Sequence, residues 1–157
     1  MTTNSAASTH AGIGGLPKLV LVAADGARAD VYLHGAHVTS WIPAGTGDDR
    51  LFLSATSRWG EGEAIRGGVP VCFPQFADQG ALAPHGLVRT TAWTLARAQR
   101  LSTGAAQATL RISATTCVPF GDAGVTASAS IPPLENSDPG RMPVPRKIQR
   151  PAGVPFT

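Results

Sequence analysis

The feature of this chain that most limits its fold is a series of short apolar segments that alternate in polarity and carry no helical periodicity. They occupy residues 19–23, 29–33, 36–42, 51–54, 92–96 and 108–113. Such alternation, with β-branched and aromatic side chains, is typical of half-buried strands. Turn residues such as Asp25-Gly26 and His34-Gly35 separate the segments. Because no window carries a long apolar stripe with a helical period, the sequence predicts an all-β fold, in the form of a sandwich.

Two further stretches are interpreted from their local composition. Residues 96–106 are alanine-rich, but Ser102-Thr103-Gly104 at their centre predicts a hairpin turn between two strands rather than a helix. The apolar run at residues 69–73 predicts a buried strand.

Composition and charge exclude several classes of partner. A length of 157 residues is sufficient for one domain with a core. The net charge is only +3 and there is no lysine run, which argues against a nucleic-acid or membrane surface. Cys72 and Cys117 lie too far apart in sequence to indicate a disulfide framework or a zinc site. We therefore expect a reduced, cytoplasmic, monomeric protein.

The chain divides into three parts by composition. Residues 1–15 are rich in Ser, Thr, Ala and Gly and are predicted to be a disordered leader, with neither a secretory signal nor a membrane span. Residues 16–117 contain the predicted sandwich. Residues 118–157 carry most of the prolines and are predicted to be a disordered tail. Because this tail joins a β domain in mid-sheet, out-of-frame or alternatively spliced sequence is the second interpretation.

Two pairs of ionisable residues are assigned to structure rather than to chemistry. His34 and His37 form an H-x-x-H pair, but residues three apart in an extended chain point to opposite faces unless Gly35 turns the backbone sharply. No Asp, Glu or Cys nearby in the sequence completes a ligand set, so we expect no metal here. Glu61 and Glu63 are expected on a solvated loop rather than as an acid–base pair.

Arg66 begins the strongest functional pattern in the sequence. It lies between the apolar Ile65 and the pair Gly67-Gly68, just before the predicted strand at residues 69–73. An arginine at the edge of a buried strand needs a partner, either a carboxylate or an anionic ligand. The two glycines allow the backbone to approach a ligand closely.

A similar combination follows one loop later, at His85-Gly86 and Arg89. It supplies a titratable imidazole, a permissive glycine and a second guanidinium. Two arginines can hold a phosphate through bidentate hydrogen bonds. The residues alone therefore indicate an anion or sugar-phosphate site at Arg66, His85 and Arg89, with structural ion pairs as the alternative.

These motifs belong to a longer pattern that extends over residues 19–113. Its blocks are Gly35-Ala36-His37-Val38-Thr39-Ser40-Trp41, then Leu51-Phe52-Leu53-Ser54, then Ala64-Ile65-Arg66-Gly67-Gly68-Val69-Pro70-Val71-Cys72-Phe73-Pro74-Gln75-Phe76, then His85-Gly86-Leu87-Val88-Arg89, and finally Trp93. In order, spacing and residue type the pattern resembles the glucose-6-phosphate 1-epimerases. These are hexose-6-phosphate mutarotases related to the aldose 1-epimerases.

The resemblance carries implications for fold, activity and site. It implies a β-sandwich of the galactose-mutarotase type and cofactor-free interconversion of the α- and β-anomers of glucose 6-phosphate. It also implies that Arg66 and Arg89 help to bind a hexose 6-phosphate, with His85 at the same site. Val88 stands where alanine is usual, and Pro84 replaces a residue that is often polar, which removes a side-chain contact to the sugar.

The catalytic groups of such an enzyme open and reclose the sugar ring. A general base takes the proton of the anomeric hydroxyl while a general acid protonates the ring oxygen. The resemblance implies that a second histidine, a glutamate and an aspartate from the downstream half supply these groups. No histidine follows His85, and Asp122, Glu135 and Asp138 match no family motif. We therefore assign no catalytic residue.

Three functional hypotheses follow from this pattern. In the first, the chain is the N-terminal part of a hexose-6-phosphate mutarotase, truncated and with impaired activity. In the second, it is a non-catalytic domain that binds sugar phosphates. In the third, it is an incomplete fragment without function, whose edge strands are exposed.

Overall fold

The structure, a computed structural model, describes residues 6–112 and 125–131. Within this range the strands are β1 (Ala7–Ala11), β2 (Pro17–Val22), β3 (Arg28–Tyr32), β4 (His37–Ile42), β5 (Thr94–Arg100), β6 (Ala106–Ile112) and β7 (Val125–Ile131). Short 3-10 turns occupy Ile13–Gly15 and Val88–Thr90. The all-β prediction is confirmed. Among the described residues, no helix is long and apolar enough to cross a membrane.

The first sheet has the antiparallel order β1-β2-β3-β4. Its central hairpin turns at Asp25-Gly26, where Gly26 has a φ of +92° and the Ala27 amide donates to Asp25 Oδ1 over 2.9 Å. This turn chemistry is what the Asp-Gly pair predicts, since Gly adopts positive φ without steric cost.

The second sheet has the antiparallel order β5-β6-β7. The predicted hairpin between β5 and β6 is confirmed. The Leu101 amide donates to the Ala105 carbonyl over 2.8 Å, and Gly104 has a φ of +83°. The alanine-rich composition therefore serves a strand, because small side chains at alternate positions of β6 fit between the two sheets.

The two sheets pack face to face and enclose one core, mainly through β2 and β6. The core is formed by apolar side chains that are almost inaccessible to solvent, namely Leu19, Leu21, Ala29, Val31, Trp41, Ala106, Ala108, Leu110 and Ile112. Arg100 Nη2 donates to the Val22 carbonyl over 2.9 Å and ties the sheets together at one end. This arrangement is the predicted sandwich.

The structure differs from the sequence prediction at both ends of the sandwich. Ala7–Ala11, assigned to a disordered leader of residues 1–15, pairs with β2 as an edge strand. Its side chains are largely exposed, so its stabilisation comes from backbone pairing that composition does not reveal. Val125–Ile131, assigned to the tail of residues 118–157, pairs with β6 along its whole length. The rest of the predicted tail lies outside the described residues.

Two predicted strands are replaced by irregular chain. Residues 51–54 and 69–73 contribute only isolated bridges, which pair Leu53 with Gly67, Val38 with Val69, and Phe73 with Gly86. Gly67 and Gly68 have φ values of +93° and +60°. Consecutive positive φ angles end an extended conformation, so the apolar run after them does not continue as a ladder.

The packing between the sheets predicts unequal costs for two paired leucines. Leu110 is 1% exposed, whereas Leu95, its partner in the register of β5 and β6, is 39% exposed. We expect Leu110→Ala to lower the free energy of unfolding by about 2–5 kcal/mol because it leaves a cavity. Leu95→Ala should cost about 1 kcal/mol. Urea denaturation measures both, and equal losses would contradict the assignment of the core.

Candidate functional site

The predicted site begins at residues 63–67, an irregular segment that carries Arg66. Three of its carbonyls accept hydrogen bonds from side chains of other parts of the chain. His34 Nε2 donates to Glu63 over 2.6 Å, Arg89 Nη2 to Ile65 over 3.3 Å, and His37 Nε2 to Gly67 over 2.7 Å. The carbonyls of alternate residues of the segment are therefore held by three side-chain donors.

The segment is also held by the loop that precedes it. Ser57 Oγ lies 3.0 Å from both the amide and the carbonyl of Arg66, so it accepts from one and donates to the other. The Ser54 amide donates to the same carbonyl over 3.0 Å. The backbone of Arg66 is therefore fixed on both sides.

The side chains of the segment divide between core and surface. Ile65 is 1% exposed, and the next residue, Arg66, is exposed. Its guanidinium makes no hydrogen bond or ion pair within the part of the chain that the structure describes. The sequence interpretation placed Arg66 at the edge of a buried strand, where it would need a partner. Exposure removes that need, and it leaves the charge free to bind an anion.

Gly67 and Gly68 are required by the packing of the chain against itself. A Cβ at Gly67 would overlap the Phe52 carbonyl, and one at Gly68 would overlap the Val38 carbonyl and lie 2.9 Å from His37 Nε2. Close approach of backbone segments, rather than close approach of a ligand, is therefore the physical reason for the double glycine.

Two glycines with positive φ separate this packing effect from backbone strain. Gly62 has a φ of +76°, and a Cβ at this position would meet no atom within 4 Å, whereas at Gly67, with a φ of +93°, it would meet Phe52. We expect Gly62→Ala to cost about 1 kcal/mol through its backbone conformation alone. Gly67→Ala should cost more, about 3 kcal/mol, because backbone must also shift. Urea denaturation measures both, and equal costs would contradict the close approach.

His85 is presented by a loop that Gln75 holds together. Gln75 Nε2 donates to the carbonyls of Ala77 and Leu82 over 3.2 and 3.1 Å, and the Leu82 amide donates to Gln75 Oε1 over 3.0 Å. His85 itself has a φ of +70°. A non-glycine residue in this region is uncommon and is held there by its surroundings.

The hydrogen bonds of the His85 ring determine its tautomer. The Ala77 amide donates to His85 Nδ1 over 3.3 Å, and Cys72 Sγ lies 3.5 Å from the same nitrogen. Because Nδ1 accepts, the proton of the neutral ring is on Nε2. Burial raises the pKa of the Cys72 thiol, and the charge of Arg89 opposes this increase. The thiol therefore stays protonated near neutral pH, which argues against a role as a nucleophile.

Arg89 is half-buried in the turn Val88–Thr90. One of its nitrogens, Nη2, anchors the Ile65 carbonyl, while Nε is buried and has no hydrogen-bond partner among the described residues. The positive charge of Arg89 lowers the pKa of the His37 imidazole and the pKa of the Cys72 thiol. The structure thus places Arg89 against the backbone next to Arg66, and Cys72 interacts with both Arg89 and His85.

His34 and His37 come together because the chain turns sharply between them. Gly35 and Ala36 have φ values of +72° and +48°, so both rings reach the segment at residues 63–67. Each ring donates from Nε2 to a backbone carbonyl. Within the described residues, no group of three or more His, Cys, Asp or Glu side chains has the geometry of a metal site.

Burial dominates the titration of His37. The ring is 1% exposed, and burial lowers its pKa to about 4. The hydrogen bond to the Gly67 carbonyl raises the pKa, and electrostatic interaction with Arg89 and with His34 lowers it. The ring is therefore neutral at physiological pH.

This pKa predicts that the folded chain loses stability in mild acid. The unfolded state binds a proton at His37 near pH 6.5 and the folded state only near pH 4, so stability is complete above pH 6.5 and declines between these values. The loss approaches about 3 kcal/mol at pH 4. Urea denaturation at a series of pH values measures it. His37→Gln should flatten this part of the profile, and His10→Gln, at an exposed histidine, should not.

Glu61 and Glu63 lie on the loop as expected from the sequence. Glu61 is exposed, and Glu63 forms an ion pair with Arg58 over 3.6 Å at the surface. These surroundings match the solvated loop rather than an acid–base pair.

Sequence reasoning missed three residues that build the site. His34 and His37 were examined only as metal ligands, and Gln75 was not singled out. A partial signal for the two histidines was available, because a buried imidazole without an acidic neighbour needs another hydrogen-bond partner, and a backbone carbonyl can supply one. No local signal marks Gln75, whose partners lie up to eight residues away on a loop.

Comparison with known proteins gives one family and several relatives. A model of the aldose 1-epimerase family matches residues 17–117. A Cenchrus ciliaris protein, provisionally named a glucose-6-phosphate 1-epimerase, is 43% identical over 81 residues, which are 52% of this chain and 24% of the relative. An Escherichia coli K12 protein with the same provisional name is 46% identical over 79 residues, 49% of this chain and 26% of its own.

A solved structure extends this similarity to the fold. The crystal structure of a provisionally assigned mutarotase from Salmonella typhimurium superposes with a TM-score of 0.68 at 28% identity. The aligned part covers 84% of this chain and 45% of the other. The chain therefore spans about a quarter of the length of the curated relatives and less than half of the solved structure.

Proposed function

We propose that this chain, which belongs to the aldose 1-epimerase family, binds a hexose 6-phosphate and interconverts its α- and β-anomers. The observation that carries the proposal is the pair of arginines at one segment. Arg66 offers an exposed, unpaired guanidinium within the described residues, and Arg89 is anchored to the carbonyl of Ile65, the preceding residue. Two guanidinium groups supply the paired donors that a phosphate monoester binds well. The provisional names of the relatives point to the same substrate class.

Arg66 and Arg89 have different parts in this proposal. Arg66 is exposed and supplies charge and a bidentate face to the phosphate. Arg89 uses Nη2 for the Ile65 carbonyl, and its Nε has no partner among the described residues. Because Nε is buried, Arg89 contributes to phosphate binding through its positive charge rather than through this atom.

His85 contributes a hydrogen bond to the sugar. Because Nδ1 accepts from the Ala77 amide, Nε2–H is the donor that remains. An imidazole with this tautomer can donate to a ring or hydroxyl oxygen of the sugar, and Cys72 Sγ lies 3.5 Å from its Nδ1. We assign His85 to substrate binding.

Anomer exchange requires one group that removes the proton of the anomeric hydroxyl and another that protonates the ring oxygen. The ring opens to the aldehyde, the C1–C2 bond rotates, and the ring closes on the other face. Among the histidines of the described residues, His34 and His37 already donate to carbonyls, and His85 is assigned to substrate binding. This observation favours a second candidate function, a domain that binds hexose 6-phosphates without turnover. We also propose that the protein is cytoplasmic, monomeric and free of cofactors.

Measurements of binding and turnover test the proposal together. Glucose 6-phosphate binding is followed by calorimetry, and freshly dissolved α-anomer is supplied to a dehydrogenase that oxidises only the β-anomer. We expect Arg66→Ala to weaken binding about 10- to 100-fold, because it removes charge-assisted hydrogen bonds. Arg97→Ala, which removes an exposed arginine of β5, should leave the affinity unchanged.

The outcomes separate the two candidate functions. Anomer exchange above the spontaneous rate that is lost in Arg66→Ala supports the mutarotase. Binding with the same dependence on Arg66, but without acceleration, supports the non-catalytic domain. Equal affinity in the parent chain and in Arg66→Ala would contradict the assignment of the phosphate site.

A further inference from the structure

We propose that His34 and His37 are positioning residues that hold the segment at residues 63–67 so that Arg66 meets the phosphate of the substrate. The inference rests on the proposed function, because it gives Arg66 a ligand to meet. It assigns a role to two buried imidazoles that do not touch the substrate themselves.

The first argument is the placement of the two donors. The rings are 4% and 1% exposed, and they donate to the carbonyls of Glu63 and Gly67 over 2.6 and 2.7 Å. These carbonyls bracket Arg66 at the two ends of the segment. Arg89 holds the carbonyl between them, so each alternate carbonyl has a side-chain donor from outside the segment.

The second argument is the cost of burying an imidazole. A ring that loses its hydration is stabilised only when its polar atoms are hydrogen-bonded. An apolar side chain at position 34 or 37 would fill the same space without the free-energy cost of removing a polar ring from water. Packing alone therefore does not account for either histidine. The N–H group that points at residues 63–67 is what distinguishes histidine from leucine at these positions.

The third argument concerns Arg66 itself. Its guanidinium has no partner among the described residues, so the fold positions Arg66 through its backbone alone. A segment that is fixed before binding loses less conformational freedom when the phosphate arrives, which strengthens binding. Loosening either end would let the guanidinium sample positions that do not meet the phosphate.

Three variants test the hold on the segment. His37→Leu removes the donor, His37→Gln restores an Nε2 donor, and His10→Leu is the control at an exposed histidine of β1. The readout is amide hydrogen exchange at Arg66 and Gly68, which donate to Ser57 Oγ and the Phe52 carbonyl. We expect about tenfold faster exchange in His37→Leu, with β2 and β3 unchanged. Gln should restore protection, and the control should match the parent chain.

Variants of His34, at the other end of the segment, keep the proposal testable when a variant of His37 does not fold. If His37→Leu does not fold, His34→Leu and His34→Gln test the Glu63 carbonyl with the same readout. Exchange that rises uniformly across both sheets, or protection that Gln fails to restore, would overturn the proposal.

A double-mutant cycle separates positioning from a general structural role. The affinity for glucose 6-phosphate should fall about tenfold in His37→Leu and return in His37→Gln. In an Arg66→Ala background, His37→Leu should have no further effect, because the residue it positions is absent. An undiminished effect in that background would overturn the proposal. Absence of binding by the parent chain contradicts the proposed function alone, since hydrogen exchange still decides whether the imidazoles hold the segment.

Discussion

The hydrogen bonds between side chains and the carbonyls of residues 63–67 connect the sandwich to the site. Their donors come from the turn before β4, from β4 itself and from the turn at Val88–Thr90. Without these donors the carbonyls would be left without partners, which costs free energy wherever water is excluded. The order of this irregular chain therefore depends on side chains that are distant in sequence.

The glycines complement these hydrogen bonds by allowing the backbone to come close. Gly67 lies against the Phe52 carbonyl, Gly68 against that of Val38, and Gly35 against that of Arg89. Each has positive φ, so one residue type meets both the conformational and the steric requirement. The long connection between β4 and β5 can thus pack against the sandwich without regular strands.

Electrostatics in the site follow from how deeply each group is buried. His37 is neutral at physiological pH because burial lowers its pKa to about 4, and burial also raises the pKa of the Cys72 thiol and keeps it protonated. Arg66 is exposed and retains its charge and its hydration. The site therefore combines a neutral, hydrogen-bonded support with a free cation, which suits capture of an anion from water.

The sequence by itself determined the fold class, the central strands and the β5–β6 hairpin, because alternation of side chains and turn chemistry act over a few neighbouring residues. It also singled out Arg66, His85 and Arg89 as a group. Only the tertiary structure decided that Ala7–Ala11 is an edge strand, that residues 69–73 form no ladder, and that His34 and His37 bind carbonyls of one segment. These features depend on partners distant in sequence or on the backbone alone, which no local pattern in the chain records.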